Sequence, residues 1–227
     1  MMAIPALALS GVASGAMAAP REVPADGRAA SGGKARDYRP SFFSSDEFEF
    51  IKAATARLIP RDSLGPGALE AGVPEFIDRQ MQTPYGVGAN WYMQGPFHPE
   101  SDPTVGYQLP LKPREVYRLG IAEADALARN KHGNVFSRLP ESHQDALLAL
   151  MESGKAGFAK LPSQAFFAML LQNTREGFFS DPVHGGNQGL AGWKLIGFPG
   201  ARADFMDWVE RGEPYPFPPV SINGERG

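Results

Sequence analysis

The side chains most able to do chemistry sit in one glycine-rich run, residues 177–200, which reads GFFSDPVHGGNQGLAGWKLIGFPG. Asp181, His184 and Asn187 recur in it at every third position. A carboxylate can orient an imidazole as a general base and an amide can hold an oxyanion, so the trio invites an acid–base or hydrolytic reading. Two features point elsewhere. No nucleophile motif of the G-x-S-x-G kind accompanies the trio, and Ser180 runs straight into Asp181-Pro182, a turn signal. In the turn reading Asp181 and Pro182 bend the chain after a helix. Gly185, Gly186 and Asn187 then supply left-handed backbone, and Trp193 anchors the loop in the core. Gly197, Pro199 and Gly200 punctuate its end. We take the run as a shaped loop, with the reactive trio as the alternative.

Composition narrows the remaining chemistry. The chain contains no cysteine, which removes disulfides, thiolate nucleophiles, thioether-linked haem and cysteine-ligated iron–sulfur clusters together. Its histidines, His98, His132, His143 and His184, never stand four apart, and H-E-x-x-H is missing. Two imidazoles therefore do not share a helical face, and a metal site would need distant loops. The nearest approach to a dinucleotide fingerprint is Gly65-Pro66-Gly67, but Glu70 takes the place of the third glycine and no strand pattern precedes it. A pyrophosphate cradle of the Rossmann kind is thereby excluded. A net charge of −3 gives no basic field for a polyanion such as nucleic acid. We expect no metal and no cofactor in this chain.

One further set of residues invites a binding role. Tyr85, Trp91, Tyr92, Phe97 and Tyr107 lie in the irregular proline- and glycine-rich segment 83–113. Aromatic faces can stack on sugar rings, but they are equally the rigid anchors of protein interfaces. The prolines pre-order the backbone and reduce the entropy lost on docking, which favours the interface.

The elements that must hold these residues read as helices. Ser44 and Glu47 form a capping box, Phe43 and Phe48 sit at the staple positions, and Phe48, Ile51, Thr55, Leu58 and Ile59 share a face until Pro60 stops the run. Pro74 suits the first turn of a short helix carrying Phe76, Ile77 and Met81. Pro113 opens a long one in which Val116, Tyr117, Gly120, Ile121, Ala124, Leu127 and Ala128 form a stripe; Arg129, Lys131 and His132 complement its C-terminal dipole and Gly133 caps it. A fourth spans 140–153 with Leu147, Leu148 and Met151 inward. A fifth, capped by Ser163, carries Phe166, Phe167, Leu170, Leu171, Thr174 and Phe178 and is the most apolar. Phe205, Trp208 and Val209 mark a last short helix that Gly212 ends. No alternating strand pattern of any length appears, so the expected fold is all-α, an irregular helical domain with long loops.

The termini read differently from the body. Residues 1–19 are a weakly apolar Ala/Gly/Ser run ending in Ala16-Met17-Ala18, an A-x-A cleavage signal. No Lys or Arg precedes Arg21, whereas an export signal needs a cationic start. This predicts a translation start upstream of Met1 and suits a twin-arginine signal lying there. Residues 20–40 read as a flexible linker, 41–212 as one helical domain and 213–227 as a proline-rich tail. No window in the body approaches the roughly 20 apolar residues of a membrane span.

With these residues in view, the chain resembles the small (gamma) subunit of membrane-associated gluconate 2-dehydrogenases, the subunit 3 family, from Phe42 to about Pro218. The resemblance is carried by LIPRDSLGPGALEAGVPEFIDRQM, NWYMQGPF and GYQLPLKPREVYRLGI, and above all by the DP, GGN, GW and GFPG elements of the opening run, in that order. It implies a cofactor-free periplasmic subunit. FAD would reside in a large dehydrogenase subunit and haem c in a cytochrome subunit that passes electrons to membrane quinone. The small subunit would support assembly and export of the large one. Under the resemblance Trp91, Tyr92, Phe97, Asp181, Pro182, His184, Gly185, Gly186, Asn187, Trp193, Gly197, Pro199 and Gly200 are the candidate partner-binding residues. The family's dehydrogenases act on gluconate, ketogluconate, sorbitol, fructose or glucose, and nothing in this chain selects among them. An autonomous enzyme, or a sugar-acid-binding protein built on Asp181, His184 and Asn187, remains the rival expectation.

Overall fold

Ser44 begins the first helix by a reciprocal cap. Its hydroxyl accepts from the Glu47 amide at 3.3 Å while its own amide donates to the Glu47 carboxylate at 2.8 Å. Phe43 and Phe48 are both buried beside this cap. In the computed structural model, which describes residues 38–227, the cap opens α1 (Ser45–Leu58), followed by α2 (Val73–Gln80), α3 (Pro113–His132), α4 (Glu141–Glu152), α5 (Ser163–Phe179) and α6 (Ala191–Ile196). Short 3-10 turns cover Pro103–Val105, Phe136–Arg138, Pro182–His184, Gln188–Leu190 and Ala203–Trp208. Isolated bridges are the only β pairing among the described residues. The fold is all-α, as the absence of alternating patterns led us to expect. Residues 1–37 lie outside the described residues, and with them the signal-like segment and most of the linker.

The helix ends follow the local chemistry of the sequence. Pro60 follows Ile59, the residue that caps the end of α1, and Gly133, with φ of 74°, closes α3 by donating its amide to the Arg129 carbonyl at 2.9 Å. The start of α5 differs by one residue from the expectation that Ser163 caps it. Pro162 holds the cap position, and Ser163 is the first helical residue. Its buried hydroxyl donates instead to the Met151 carbonyl at 3.1 Å, joining the start of α5 to the end of α4. α6 lies inside the glycine-rich run and, at six residues, is too short to show a period.

α5 is the hub. It packs against α1, α2, α3, α4 and α6, and its Phe166, Leu170 and Phe178 are all but inaccessible to solvent. Phe50 of α1, off the face that the periodicity selects, packs with its ring tilted 4.7 Å from Phe136 and 6.0 Å from Phe166. Tyr117 of α3 meets Phe166 edge-on. Such pairs add to the apolar burial that dominates the stability of a domain this size.

Two polar features cross this core. Asp78 of α2 is fully buried and its carboxylate accepts from the Tyr38 hydroxyl (2.8 Å), the Ser41 amide (2.7 Å), the Ser41 hydroxyl (2.8 Å), and the Phe42 (3.0 Å) and Phe43 (2.9 Å) amides. Residues 38–43 are thus fastened to α2 just before α1 begins. Burial alone would raise the Asp78 pKa. The bonds from Phe43, Ser41 and Tyr38 outweigh it and hold the carboxyl below its ordinary value. In α5, Asn173 Oδ1 accepts from Tyr117 at 2.9 Å and Tyr85 at 3.1 Å, and its Nδ2 donates to Glu176 at 2.8 Å. Burial pushes the Tyr85 hydroxyl up to about 12, so both phenols remain hydrogen-bond donors at neutral pH.

Candidate functional site

The glycine-rich run leaves α5 and folds back over its last turn. Asp181 caps the 3-10 turn Pro182–His184, its Oδ1 accepting from the Val183 amide at 3.0 Å. Its Oδ2 accepts from the Ile222 amide at 2.8 Å, so one carboxylate shapes the loop and holds the C-terminal tail. Gly185 follows in the left-handed region, and Gly186 lies so close to α5 that a Cβ there would collide with the Gly177 carbonyl.

Asn187 is fully buried in the left-handed region at φ of 47°. Its Nδ2 donates to the Ser180 carbonyl and its Oδ1 accepts from the Gly192 amide, both at 2.8 Å. The amide thereby staples the end of α5 to the start of α6. Trp193 of α6 is buried, donates from its indole to the Phe179 carbonyl at 2.7 Å and meets Phe198 edge-on. Gly197, with φ of 67°, ends α6. Pro199 is buried, and its carbonyl accepts from Val220 at 3.2 Å while Ala201 donates to Val220 at 2.8 Å. Gly200 sits between them, where a Cβ would strike the Val220 carbonyl and the Trp193 ring. Gln188 fastens the other flank, its amide donating to the Ala71 carbonyl at 3.0 Å and its side chain to Glu75 at 3.2 Å.

These bonds decide what the trio can do chemically. Both Asp181 oxygens lie on backbone amides and both ends of the Asn187 amide are engaged by backbone, whereas His184 projects exposed at the surface. The His184 backbone amide donates to the Asp181 carbonyl at 3.0 Å, but among the described residues the Asp181 carboxylate makes no hydrogen bond to the His184 ring, so the fold does not join the three into a relay. His184 instead borders a shallow groove of about 430 Å³ with Phe76, Gln80, Glu176, Phe179 and Ser180. Glu176 there accepts from Gln172 and Asn173, both at 2.8 Å.

The aromatic set of the long loop divides into two. Trp91 is half-buried, 5.7 Å from Tyr85 and 4.5 Å from Tyr107, and the Tyr107 hydroxyl donates to the Leu111 carbonyl at 2.6 Å. These three rings pack on one another, and burial raises the Tyr107 pKa. Tyr92 points outward at 74 % exposure, and Phe97 is half-buried next to Gly95. The five aromatics are therefore not one open platform: three support the loop and Tyr92 is offered to solvent.

The histidines are dispersed. His132 and His143 stack at 4.1 Å between the end of α3 and the start of α4, and His98 lies 3.2 Å from Glu100 in the loop. No group of three or more metal-ligating side chains occurs among the described residues. Asp78 and Asn173, buried side chains with five and three hydrogen bonds, escape a reading of the sequence. The available signal was slight: an acid directly after the apolar pair Phe76-Ile77, and an amide within the most apolar helix.

No helix among the described residues is long and apolar enough to cross a membrane. A comparison with curated proteins and one with solved structures each return no match. Residues 45–200, which run from the first residue of α1 to the glycine that receives the tail, match the family model of gluconate 2-dehydrogenase subunit 3, and the chain belongs to that family.

Proposed function

We propose that this chain is the non-catalytic small subunit of a periplasmic, flavin-dependent dehydrogenase complex, and that it supports assembly and export of the large FAD subunit. Membership of the family makes the chain a subunit of the gluconate 2-dehydrogenase complex and a partner of its other subunits. In the proposed complex the large subunit oxidises gluconate or a related sugar acid or polyol, and a c-type cytochrome subunit takes the electrons to the membrane. What carries the reading is the state of the loop 177–200. Its acid and its buried amide are engaged in shaping backbone, which is how a surface is held rigid for recognition rather than how a reacting group is left available. The outward residues of the two long loops, Tyr92, His184 and Phe198 among them, are the surface offered.

Co-expression with the large subunit of its complex tests this. The two chains are expected to co-purify, and deleting this one is expected to strand the large subunit, with its dye-reducing activity, in the cytoplasm. His184→Gln should leave the turnover of the assembled complex unchanged, whereas an enzyme working through His184 would lose it. Dye reduction by the isolated chain would overturn the proposal.

A further inference from the structure

Beyond the residues matched by the family, the chain builds a lobe with no core beneath it. No residue from 201 to 218 is buried, yet the segment is internally ordered. Arg202 grips Asp204 through two bonds of 3.1 and 3.0 Å, and lies over the Tyr215 and Phe217 rings at 5.5 and 5.0 Å. The Tyr215 hydroxyl donates to Asp204 at 2.8 Å, Phe205 and Trp208 meet Tyr215 edge-on, and Arg211 covers Trp208 at 4.4 Å. Only at its far end does the tail rejoin the body, through Val220 on Pro199 and Ile222 on Asp181.

The 3-10 geometry of this lobe sorts its side chains into rows. Residues three apart eclipse in a 3-10 helix, and the Arg211 amide bonding to the Trp208 carbonyl continues the Ala203–Trp208 spacing by one turn. Phe205, Trp208 and Arg211 form the row that faces Tyr215. Asp204, Asp207 and Glu210 form an acidic row, which Glu213 extends at the same interval. Ala203, Met206 and Val209 form an apolar row that faces solvent, Met206 at 73 % and Val209 at 58 % exposure. An amphipathic element usually turns its apolar row toward its own core. Here the row points away and is bordered by carboxylates, of which only Asp204 has a cationic partner among the described residues.

We infer that the lobe 202–217 is a docking element for the large dehydrogenase subunit beside the outward residues of the two long loops, and that Met206 and Val209 enter an apolar recess of that subunit whose rim is basic. The inference rests on the reading under Proposed function and adds the place and chemistry of the contact. Charge selects the occupant: the lobe holds four carboxylates against two guanidiniums, and both guanidiniums lie over the lobe's own rings, so the net negative rim calls for Lys and Arg opposite. A second copy of the lobe would set acid against acid. Its internal ordering lowers the entropy lost on docking, and Trp, Tyr and Arg are the residue types that anchor such contacts.

The test measures the affinity of the intact chain for the large subunit of its complex. Met206→Glu and Val209→Glu are each expected to weaken binding about 30-fold or more, the range of anchor residues. Asp207→Asn with Glu210→Gln should weaken it less and flatten its salt dependence. Leu64→Glu, 76 % exposed in the loop before α2, should bind as wild type. All these positions are exposed, so thermal midpoints and far-UV spectra should match wild type and confirm that folding is intact. Wild-type affinity in Met206→Glu and Val209→Glu, with wild type itself binding tightly, overturns the inference and leaves the proposed function standing. A wild-type chain that pairs with itself through the lobe and ignores the large subunit overturns both.

Discussion

Asp78 shows how a single side chain organises a boundary. Five donors converge on its carboxylate from residues 35 to 40 positions away in the chain, and they fix the approach to α1. Asp78→Asn would turn an amide N–H toward backbone donors, and we expect a loss of about 3 kcal/mol from stranding buried N–H groups. The pH dependence has a definite sign. The folded pKa lies below the unfolded value of about 3.9. The stabilisation is therefore complete above that unfolded value and is lost as the pH falls through the folded one. Urea unfolding at a series of acidic pH values should show a shallower decline of stability for Asp78→Asn than for wild type. An identical slope in the two proteins would remove Asp78 from the account.

Among the elements, α5 carries the burden of joining the others, and its polar pair Asn173 and Glu176 sets what it tolerates. Tyr117→Phe removes one hydroxyl but leaves Asn173 Oδ1 accepting from Tyr85, and should cost about 1 kcal/mol. Asn173→Ala leaves the buried Tyr117 hydroxyl without an acceptor and opens a void, and should cost about 3 kcal/mol. Thermal or denaturant unfolding of the two variants checks the order, and equal losses would contradict the network. Most of this helix was legible beforehand: the spacing of Phe166, Phe167, Leu170 and Phe178 marks it as the central apolar element, which is where it lies. The network was not legible, because an Asn within a helix reads as an exposed position until Tyr85 and Tyr117, 88 and 56 residues away, are brought to it.

At the scale of the whole molecule, the loop 177–200 and the tail hold one another. Asp181 reaches Ile222 and Gly200 passes under Val220. Gly200→Ala would place a methyl group against the Val220 carbonyl and the Trp193 ring at a φ of 71° that alanine disfavours. We expect the tail to detach locally rather than the core to unfold. Hydrogen exchange should then lose protection at the amides of Ala201, Val220 and Ile222 while α3 and α5 keep theirs. Loss of protection throughout α5 would show instead that the tail and the core form one cooperative unit.

The sequence by itself determined the five longer helices, most of their caps and the chemistry that composition forbids. Capping boxes, proline stops and 3.6-residue periods are satisfied within a few residues of each other, and a chain without thiols lacks them in any fold. The tertiary structure alone decided the fate of the polar side chains. Asp181, Asn187 and Asp78 have local spacings that suit a reactive site, a turn or a solvated helix face equally well. Which of these they become depends on the backbone donors and acceptors that the folded chain delivers to them, the Ile222 amide from 41 residues beyond Asp181 and the Phe43 amide from 35 residues before Asp78. A buried hydrogen-bonding group takes the partner that burial leaves within reach, and that partner is chosen by packing, not by the residues on either side.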